Sequence, residues 1–165
     1  MLESLIRLVE TGNCQTTHLF RELEKYAHNN LDIKLFSVMA IDFTREEACR
    51  IYTSSPEVYP LSGTKPIPEG EWADNVIKQK KIFVANDYAT IADTFPDHEV
   101  IRSLGCEAII NVPIVINGEI HGTLNILGPA GAYPEESIHF AEELKIPSTF
   151  CFLYYEYVKN GSKDG

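Results

Sequence analysis

Two apolar runs that flank Asn117-Gly118 constrain the fold of this chain more than any other feature. The runs cover residues 108–116 and 119–127, and both are rich in β-branched residues. Asn-Gly favours a type I′ turn, in which both central residues take positive φ, so the runs are predicted to pair as an antiparallel hairpin of fixed register. Because neither run alternates cleanly between apolar and polar residues, both faces are expected to be covered, which places the hairpin at the centre of a sheet.

Four polar residues interrupt these apolar runs: Asn111, His121, Thr123 and Asn125. Alternate side chains of a strand share a face, so the pairing brings Asn111 close to Asn125. Buried amides need hydrogen-bond partners. Two interpretations stay open. Either the amides bind a small ligand or an ordered water, or they form a purely structural network with Thr123 and nearby backbone.

Helical spacing of apolar residues marks both ends of the chain. Two predicted N-terminal helices are separated by Gly12-Asn13, and a final helix is predicted to open at Pro134 and to kink or split at Pro147. Residues 148–158 are rich in aromatic side chains. The two N-terminal stripes are Leu2, Leu5, Ile6 and Val9, and Leu19, Phe20, Leu23 and Ala27.

The middle of the chain combines short strands with irregular segments. A helix is predicted over residues 71–81, and Asp97 is predicted to cap another helix that Gly105 ends in the left-handed conformation. Residues 55–70, with four prolines, and residues 87–96 are predicted as loops, and long loops of this kind tend to be functional. The further predicted strands are residues 34–42, 48–54 and 82–86.

This order of elements predicts an α+β fold with one mostly antiparallel sheet of about five to six strands. Terminal helices are expected on one face of the sheet, and loops and short helices are expected to form a pocket on the other. A chain of 165 residues with 44% hydrophobic content suits one globular domain. We expect an N-terminal helical segment at residues 1–30, the domain at residues 31–158 and a polar tail at residues 159–165.

The segment from Ser103 to Ile126 resembles the second half of a GAF domain. It carries S-L-G at its start, V-P-I at residues 112–114 and G-T-L-N-I at residues 122–126. The resemblance extends over roughly residues 31–157. It implies the GAF-like fold and a ligand pocket on the second sheet face, because GAF domains are small-molecule-sensing modules of phosphodiesterases, phytochromes and bacterial regulators.

Aromatic residues lie on the segments expected to cover that pocket. Such rings sandwich flat ligands, for example a nucleobase, a tetrapyrrole or an aromatic acid, or they pack against the sheet. For Trp72 the helical spacing to Val76 favours core packing, and for His98 the position at a helix start favours solvent exposure. The predicted ligand-binding residues are Asn111, Thr123, Asn125, Tyr52, Trp72, Tyr88, Phe95 and His98.

The sequence does not identify the ligand or a cofactor. Cyclic-nucleotide-binding members of the family carry Asn-Lys, then Phe, then Asp-Glu, whereas this chain has Asn125-Ile126, Tyr133 and Glu136-Ser137. Bilin-binding members attach their chromophore through Cys beside His, and no Cys-His pair occurs here. A haem would need His98 or His121 as its axial ligand, and no other feature supports haem.

One branch of the family reduces free methionine sulfoxide with paired cysteines on this face. Cys106 lies just before the first hairpin strand, but residues 88–107 hold no second cysteine to resolve the oxidised thiol. Motifs for metal, nucleotide or Ser-His-Asp chemistry are absent from the sequence. We therefore predict no catalytic residues and no metal site. The alternatives are a methionine sulfoxide reductase using Cys106 and a dimerisation scaffold with a vestigial pocket.

Charge and hydropathy limit the partners. The net charge of −10 argues against nucleic acid or an anionic membrane. No run reaches the roughly 20 apolar residues of a membrane helix, and no signal peptide is visible, so we expect a cytoplasmic location. The apolar terminal helices predict a homodimer. No output domain is visible in the sequence, so we expect a small-molecule signal to pass to a separate output protein.

Overall fold

The computed structural model describes residues 1–161, which form one antiparallel sheet covered by helices on both faces. The strands are β1 (Leu35–Asp42), β2 (Glu47–Thr53), β3 (Thr64–Pro66), β4 (Phe83–Ala85), β5 (Ala108–Ile116) and β6 (Glu119–Gly128). The helices are α1 (Leu2–Glu10), α2 (Thr16–His28), a π-helix (Ala73–Lys78), α3 (Tyr88–Thr94), α4 (His98–Ser103), α5 (Glu135–Glu143) and α6 (Lys145–Gly161). The six strands lie in the order β3-β2-β1-β6-β5-β4. The predicted α+β class and strand number are confirmed.

The predicted hairpin is formed by β5 and β6. Asn117 and Gly118 have φ of 51° and 79°, as a type I′ turn requires. The register places Asn111 directly opposite Asn125. Both strands lie inside the sheet, and most of their residues are buried. Their apolar runs therefore reflect cover on both faces, as predicted.

The turn makes Gly118 sensitive to substitution. We expect Gly118→Val to lower the free energy of unfolding by roughly 1–2 kcal/mol, because a β-branched residue is strained at positive φ. No atom lies within 4 Å of a Cβ added there, so the whole effect comes from the backbone. Thermal unfolding measures it. Gly118→Asn is the control, since Asn tolerates this conformation, and equal melting temperatures for both variants and the parent would contradict the turn type.

The two faces of the sheet carry separate apolar cores. On one face, α1, α2, α5 and α6 bury Leu5, Phe20, Leu144 and Phe152 against the sheet. On the other, the π-helix, α3 and α4 bury Val76, Ile91 and Ile101. The distribution of terminal and middle elements is the one predicted from the order along the chain.

Two segments predicted as loops contain regular structure. Residues 88–94 form α3 because Asp87 caps it, with its Oδ1 accepting from the backbone N–H of Thr90 at 2.8 Å. Residues 64–66 form β3, which pairs with β2 at the edge of the sheet. An edge strand tolerates Pro66, because a proline has no N–H to donate to a ladder.

The helix predicted over residues 71–81 is a π-helix in its central part. The backbone N–H of Gln79 donates to the carbonyl of Asp74, five residues earlier, at 3.0 Å. The helix buries Trp72 and Val76, whereas Ile77 is only partly buried. A helix is therefore present where the sequence predicts one, and its central part is a π-helix.

The C-terminal part divides into two helices, as predicted, although the break lies at Leu144 and Pro147 falls in the first turn of α6. Proline is tolerated there because its missing N–H has no partner in a first turn. α6 includes residues 159–161 of the predicted polar tail, and residues 162–165 lie outside the described residues. None of the helices in residues 1–161 has the length and hydrophobicity of a membrane span.

Candidate functional site

A partly enclosed cavity lies between the sheet and the elements that cover its second face. Its floor comes from β1, β2, β5 and β6, and its cover includes Tyr59, Lys65, Trp72, Phe95 and Ile101. The cavity volume is about 50 Å³. A buried water needs roughly 10–15 Å³ by this measure, so there is room for about three to five water-sized groups. The apolar part of the floor is Leu35, Met39, Ile41, Ile109 and Leu127.

A chain of four hydrogen-bonded side chains crosses the cavity floor. The indole Nε1 of Trp72 donates to Oδ1 of Asn111 at 2.9 Å. Nδ2 of Asn111 donates to Oδ1 of Asn125 at 2.7 Å, and Nδ2 of Asn125 donates to Oγ of Ser37 at 3.3 Å. Asn125 on β6 lies between the other two strand residues, opposite Asn111 of β5 on one side and opposite Ser37 of β1 on the other. We call Trp72, Asn111, Asn125 and Ser37 the amide chain.

The indole determines which way both amides point. An indole N–H only donates, so Asn111 must turn its oxygen toward Trp72. The NH₂ group of Asn111 then faces Asn125, which must present its own oxygen and leave its NH₂ group toward Ser37. The amide chain therefore has one direction, and each amide nitrogen carries a second N–H that no bond of the chain uses.

A β-bulge in β2 turns Arg50 toward the cavity. Arg50 lies opposite Met39 and Tyr52 opposite Val38, so Ile51 has no counterpart on β1. Without the bulge, Arg50 and Tyr52 would share a face. With it, Arg50 lines the cavity with 6% of its surface exposed, whereas Tyr52 packs in the core beneath the helices.

Tyr59, Lys65 and Asp97 form a second polar group at the cavity rim, which we call the Asp97 cluster. The hydroxyl of Tyr59 donates to Oδ2 of Asp97 at 2.7 Å, and Nζ of Lys65 lies 3.3 Å from the same oxygen. Asp97 was predicted to cap α4, but its side chain makes these bonds and no cap bond. The cluster thus ties residues 55–66 to the start of α4.

The Asp97 cluster shifts the pKa values of its members. Burial alone would raise the pKa of the Asp97 carboxyl, but the charge of Lys65 and the hydrogen bond from Tyr59 outweigh it and hold that pKa below its ordinary value. Burial lowers the pKa of Lys65, and Asp97 opposes this effect. Because the pKa of Asp97 is lower in the folded chain, its contribution to stability is present at neutral pH and is lost as the pH falls through that lowered pKa.

Five of the eight predicted binding residues line the cavity: Trp72, Phe95, Asn111, Thr123 and Asn125. Tyr52 does not, because the bulge directs it to the opposite face. There its hydroxyl donates to Oε2 of Glu24 on α2, and its ring packs 5.6 Å from that of Phe20, measured between centroids. This position corrects the prediction for Tyr52.

Tyr88 and His98 also lie outside the cavity lining. The Tyr88 hydroxyl and Nδ1 of His98 are hydrogen-bonded at 2.7 Å, and the guanidinium of Arg102 lies 4.2 Å from the centre of the Tyr88 ring. Because residues 88–94 are helical, Ile91 points inward and Tyr88 stays on the outer side. The ligand contacts predicted for this pair have no support from their positions.

Sequence reasoning missed four polar cavity residues: Ser37, Arg50, Tyr59 and Lys65. The alternation of β1 could have predicted the position of Ser37. It is a small polar residue between Phe36 and Val38, which are fully buried on the opposite face. The other three depend on the bulge and on the path of residues 55–66, and no local pattern marks either.

Cys106 does not have the surroundings of a catalytic thiol. Its side chain is fully buried in the core on the cavity side, and burial raises its pKa to about 11. Reductases use a thiolate whose pKa is lowered. Within residues 1–161, no three His, Cys, Asp or Glu side chains are arranged to hold a metal ion.

We expect Cys106 to resist alkylation in the native protein at pH 8, where roughly 0.1% of a thiol with this pKa is ionised. Cys151, equally buried and with a pKa raised to about 12, is the matched control for burial. The partly exposed Cys49 should react first. Mass spectrometry of peptides after timed maleimide treatment measures all three rates. Reaction of Cys106 as fast as Cys49, together with methionine sulfoxide reduction lost in Cys106→Ser, would favour the reductase.

Comparison with known proteins agrees with this architecture. A family model described as GAF domain matches residues 17–144, which include the whole cavity lining. A search of curated protein sequences finds no match. The GAF domain of an Acinetobacter phosphoenolpyruvate-protein phosphotransferase is similar over 96% of this chain and 96% of its own, with a TM-score of 0.67 and 16% identity.

Two further solved structures have the same fold. The GAF domain of a two-component sensor histidine kinase from Bacillus halodurans matches 86% of this chain and 95% of its own, with a TM-score of 0.66 and 13% identity. A red/green cyanobacteriochrome in its red-light-absorbing state matches 87% and 97%, with a TM-score of 0.65 and 14% identity. At these identities the likeness concerns the fold alone.

Proposed function

This chain belongs to the GAF domain family, and on that premise we propose that it is a non-catalytic cytoplasmic sensory module that binds a small molecule in the cavity. GAF domains are sensory modules, and solved relatives come from a sensor kinase, a chemotaxis protein and a photoreceptor. The observation that carries the proposal is the amide chain, which lies on the floor of an otherwise largely apolar cavity. Ligand sites combine apolar walls with a few convergent polar groups in this way.

The proposed mechanism is a shift between two arrangements of the cavity cover. A ligand that contacts Lys65 competes with Asp97 for the same cation, and Asp97 joins residues 55–66 to α4. A ligand changes this equilibrium only as far as it binds one arrangement better than the other. β2 provides a second connection, because it carries Arg50 in the cavity and Tyr52 bonded to Glu24 of α2. A signal reaching the terminal helices would pass to a separate partner.

Ligand binding is tested by native mass spectrometry of the purified protein and by a thermal-shift screen of purines, amino acids, aromatic acids, tetrapyrroles and small organic acids. A ligand at a hundred times its dissociation constant stabilises the fold by about 2.7 kcal/mol. Thr123→Leu, which places a larger side chain in the cavity, should abolish the shift of any compound that binds there. Thr44→Leu, in the exposed β1–β2 turn, is the control and should retain it.

The scaffold with a vestigial pocket makes the opposite prediction. In that case no compound shifts the melting temperature of the parent protein. Thr123→Leu then changes only stability, because it overfills a cavity without function. A shift that survives in Thr123→Leu would mean that the compound binds elsewhere, which also contradicts the proposal.

We also propose a homodimer formed through α1 and α6. Both helices expose large apolar side chains, and such surfaces mark interfaces. Leu5, predicted in the same stripe, is instead buried against the sheet. The exposed residues are Leu2 and Ile6 on α1, and Ile146, Phe150, Leu153, Tyr157 and Val158 on α6.

Light scattering at micromolar concentration is expected to give twice the mass of the chain. Leu153→Glu should yield monomers, because a charge in the centre of an apolar interface loses its hydration. Val58→Glu, on the loop after β2, replaces a similarly exposed apolar residue and should remain dimeric. A monomeric parent protein would contradict the dimer, and a dimer that persists in Leu153→Glu would contradict this interface.

A further inference from the structure

Arg50 is a buried cation beside the cavity. Its Nη1 donates to the carbonyl of Pro60 at 3.1 Å, and its guanidinium lies 4.7 Å from the centre of the Tyr59 ring. Among the described residues, no carboxylate lies within ion-pair distance of Arg50. Buried charges are normally paired, because an isolated charge is poorly stabilised in a medium of low dielectric constant.

The loop after β2 is built around this guanidinium. The backbone N–H of Arg50 donates to the carbonyl of Gly63, and the N–H of Ser62 donates to the carbonyl of Arg50, both at 2.9 Å. A Cβ added at Gly63 would lie 2.8 Å from Nη1 of Arg50 and 3.0 Å from the carbonyl oxygen of Pro60, so a larger residue there would displace the guanidinium. The side chain is therefore held in place and is not a mobile surface arginine.

The charges around the cavity leave one positive charge without a counter-ion. Lys65 and Asp97 lie 3.3 Å apart and neutralise each other. Arg50 then remains as the unbalanced charge, although the whole chain carries a net charge of −10. A positive cavity in an acidic protein is suited to an anion.

The cavity floor also offers N–H donors that no bond of the amide chain uses. Both oxygens of the amide chain, on Asn111 and Asn125, already accept a bond, whereas each amide nitrogen has a second N–H. The hydroxyl of Thr123 adds a group that can donate. A ligand with acceptor oxygens satisfies these donors.

We infer that the cavity binds a small organic acid, with its carboxylate on Arg50 and a second acceptor oxygen, such as an oxo group, on the amides of Asn111 and Asn125. This inference rests on the proposed ligand-binding function and specifies its ligand class. The planar guanidinium suits a carboxylate, which accepts two parallel hydrogen bonds from it. The small cavity volume favours the smallest oxo acids over nucleotides and tetrapyrroles, and the shift of the cavity cover proposed above makes room for them.

The same geometry separates oxo acids from amino acids. An α-ammonium group needs acceptors, and the single carboxylate among the residues described around the cavity, Asp97, is already bound by Tyr59 and Lys65. Placing the ammonium group beside Arg50 and the amide N–H groups would bring like charges and donors together. An amino acid should therefore bind more weakly than the oxo acid of the same carbon skeleton.

Calorimetric titration of the full chain with matched compounds tests the inference. The acids are pyruvate, 2-oxobutyrate and 2-oxoisovalerate; the comparison compounds are their methyl esters and the amino acids alanine, 2-aminobutyrate and valine. We expect at least one acid to bind about 10- to 100-fold more tightly than its ester and its amino acid, as for a lost hydrogen bond to a charged group. Arg50→Gln should reduce the affinity for the acid to that for the ester. Arg45→Gln, at a side chain that is 74% exposed, should leave it unchanged.

The outcomes separate the ligand class from the function. Equal binding of acid and ester, equal binding of acid and amino acid, or binding of only uncharged compounds from the thermal-shift screen would overturn the organic acid and leave the sensory function standing. Binding of no compound in either experiment would contradict both. If Arg50→Gln does not fold, the ratio between acid and ester on the parent protein still decides, because it needs no variant.

Discussion

Gly122→Val is expected to lower the free energy of unfolding by about 3 kcal/mol or more, at the upper end of the effects of overpacking. A Cβ at this position would lie 2.3 Å from the carbonyl oxygen of Met39 and 2.8 Å from Cε2 of Phe152. The first contact is with the backbone of the neighbouring strand, which cannot rotate away. β1 and α6 would both have to move, and for a domain of this size the melting temperature should fall by roughly 6–12 °C.

Gly161→Val is the matched control for this experiment. No atom lies within 4 Å of a Cβ added at Gly161, near the end of α6, so the same substitution should change stability by no more than about 0.5 kcal/mol. Urea unfolding of both variants gives the two free energies. Equal stability of Gly122→Val and the parent protein would show that β1 and β6 do not approach as closely as described.

Asn111→Ala is expected to destabilise the protein by roughly 1–3 kcal/mol for each polar group left without a partner. It removes the acceptor of the Trp72 indole and the donor to Asn125. Both groups are buried, so neither is fully compensated by water. The cavity beside these two groups has room for a water molecule. If a water bonds to both of them, the loss of stability should lie at the lower end of this range.

A double-mutant cycle distinguishes this network from simple loss of volume. Trp72→Phe keeps an aromatic ring in the cover but removes its N–H donor, and it should destabilise the protein by leaving Asn111 Oδ1 unbound. The double variant with Asn111→Ala should be more stable than the sum of both changes predicts, because the two residues share one hydrogen bond. Strict additivity would show that the bond contributes nothing to stability.

The part of the site that could be predicted from sequence depends on residues that are close along the chain. Asn117 and Gly118 determine the turn, the turn determines the register, and the register brings Asn111 opposite Asn125. Each step involves local chemistry and fixed strand geometry. The predicted face, the pairing of the amides and the central position of the hairpin therefore all agree with the structure.

The cationic half of the cavity could not be predicted in this way. Arg50 and Tyr52 are two residues apart in an alternating strand, and simple alternation assigns both to one face. The bulge at Ile51 arises from how β2 pairs with β1, which depends on contacts along the whole strand. Tyr59 and Lys65 reach the cavity through a proline-rich segment whose path is set by packing against Asp97 and Phe95.

The helix at residues 88–94 is a different kind of error, since a local signal was present. Asp87 and Thr90 are three residues apart, which is the spacing at which an N-cap side chain accepts a hydrogen bond from the backbone N–H of the third helical residue. Residues 87–96 were nevertheless predicted as a loop. Burial of Ile91 against the sheet supplies the tertiary contact that makes so short a helix stable.

The extra residue in β2 also determines which changes of chain length this domain can accept. Removing Ile51 would convert the bulge into a regular ladder and leave Arg50 and Tyr52 on the faces they now occupy. Removing Cys49 would instead turn Ala48 away from the cavity or carry the shift into the β1–β2 turn, because side-chain direction alternates at every residue. A natural relative that lacks the residue at position 51 would thus retain both Arg50 in the cavity and the contact of Tyr52 with α2.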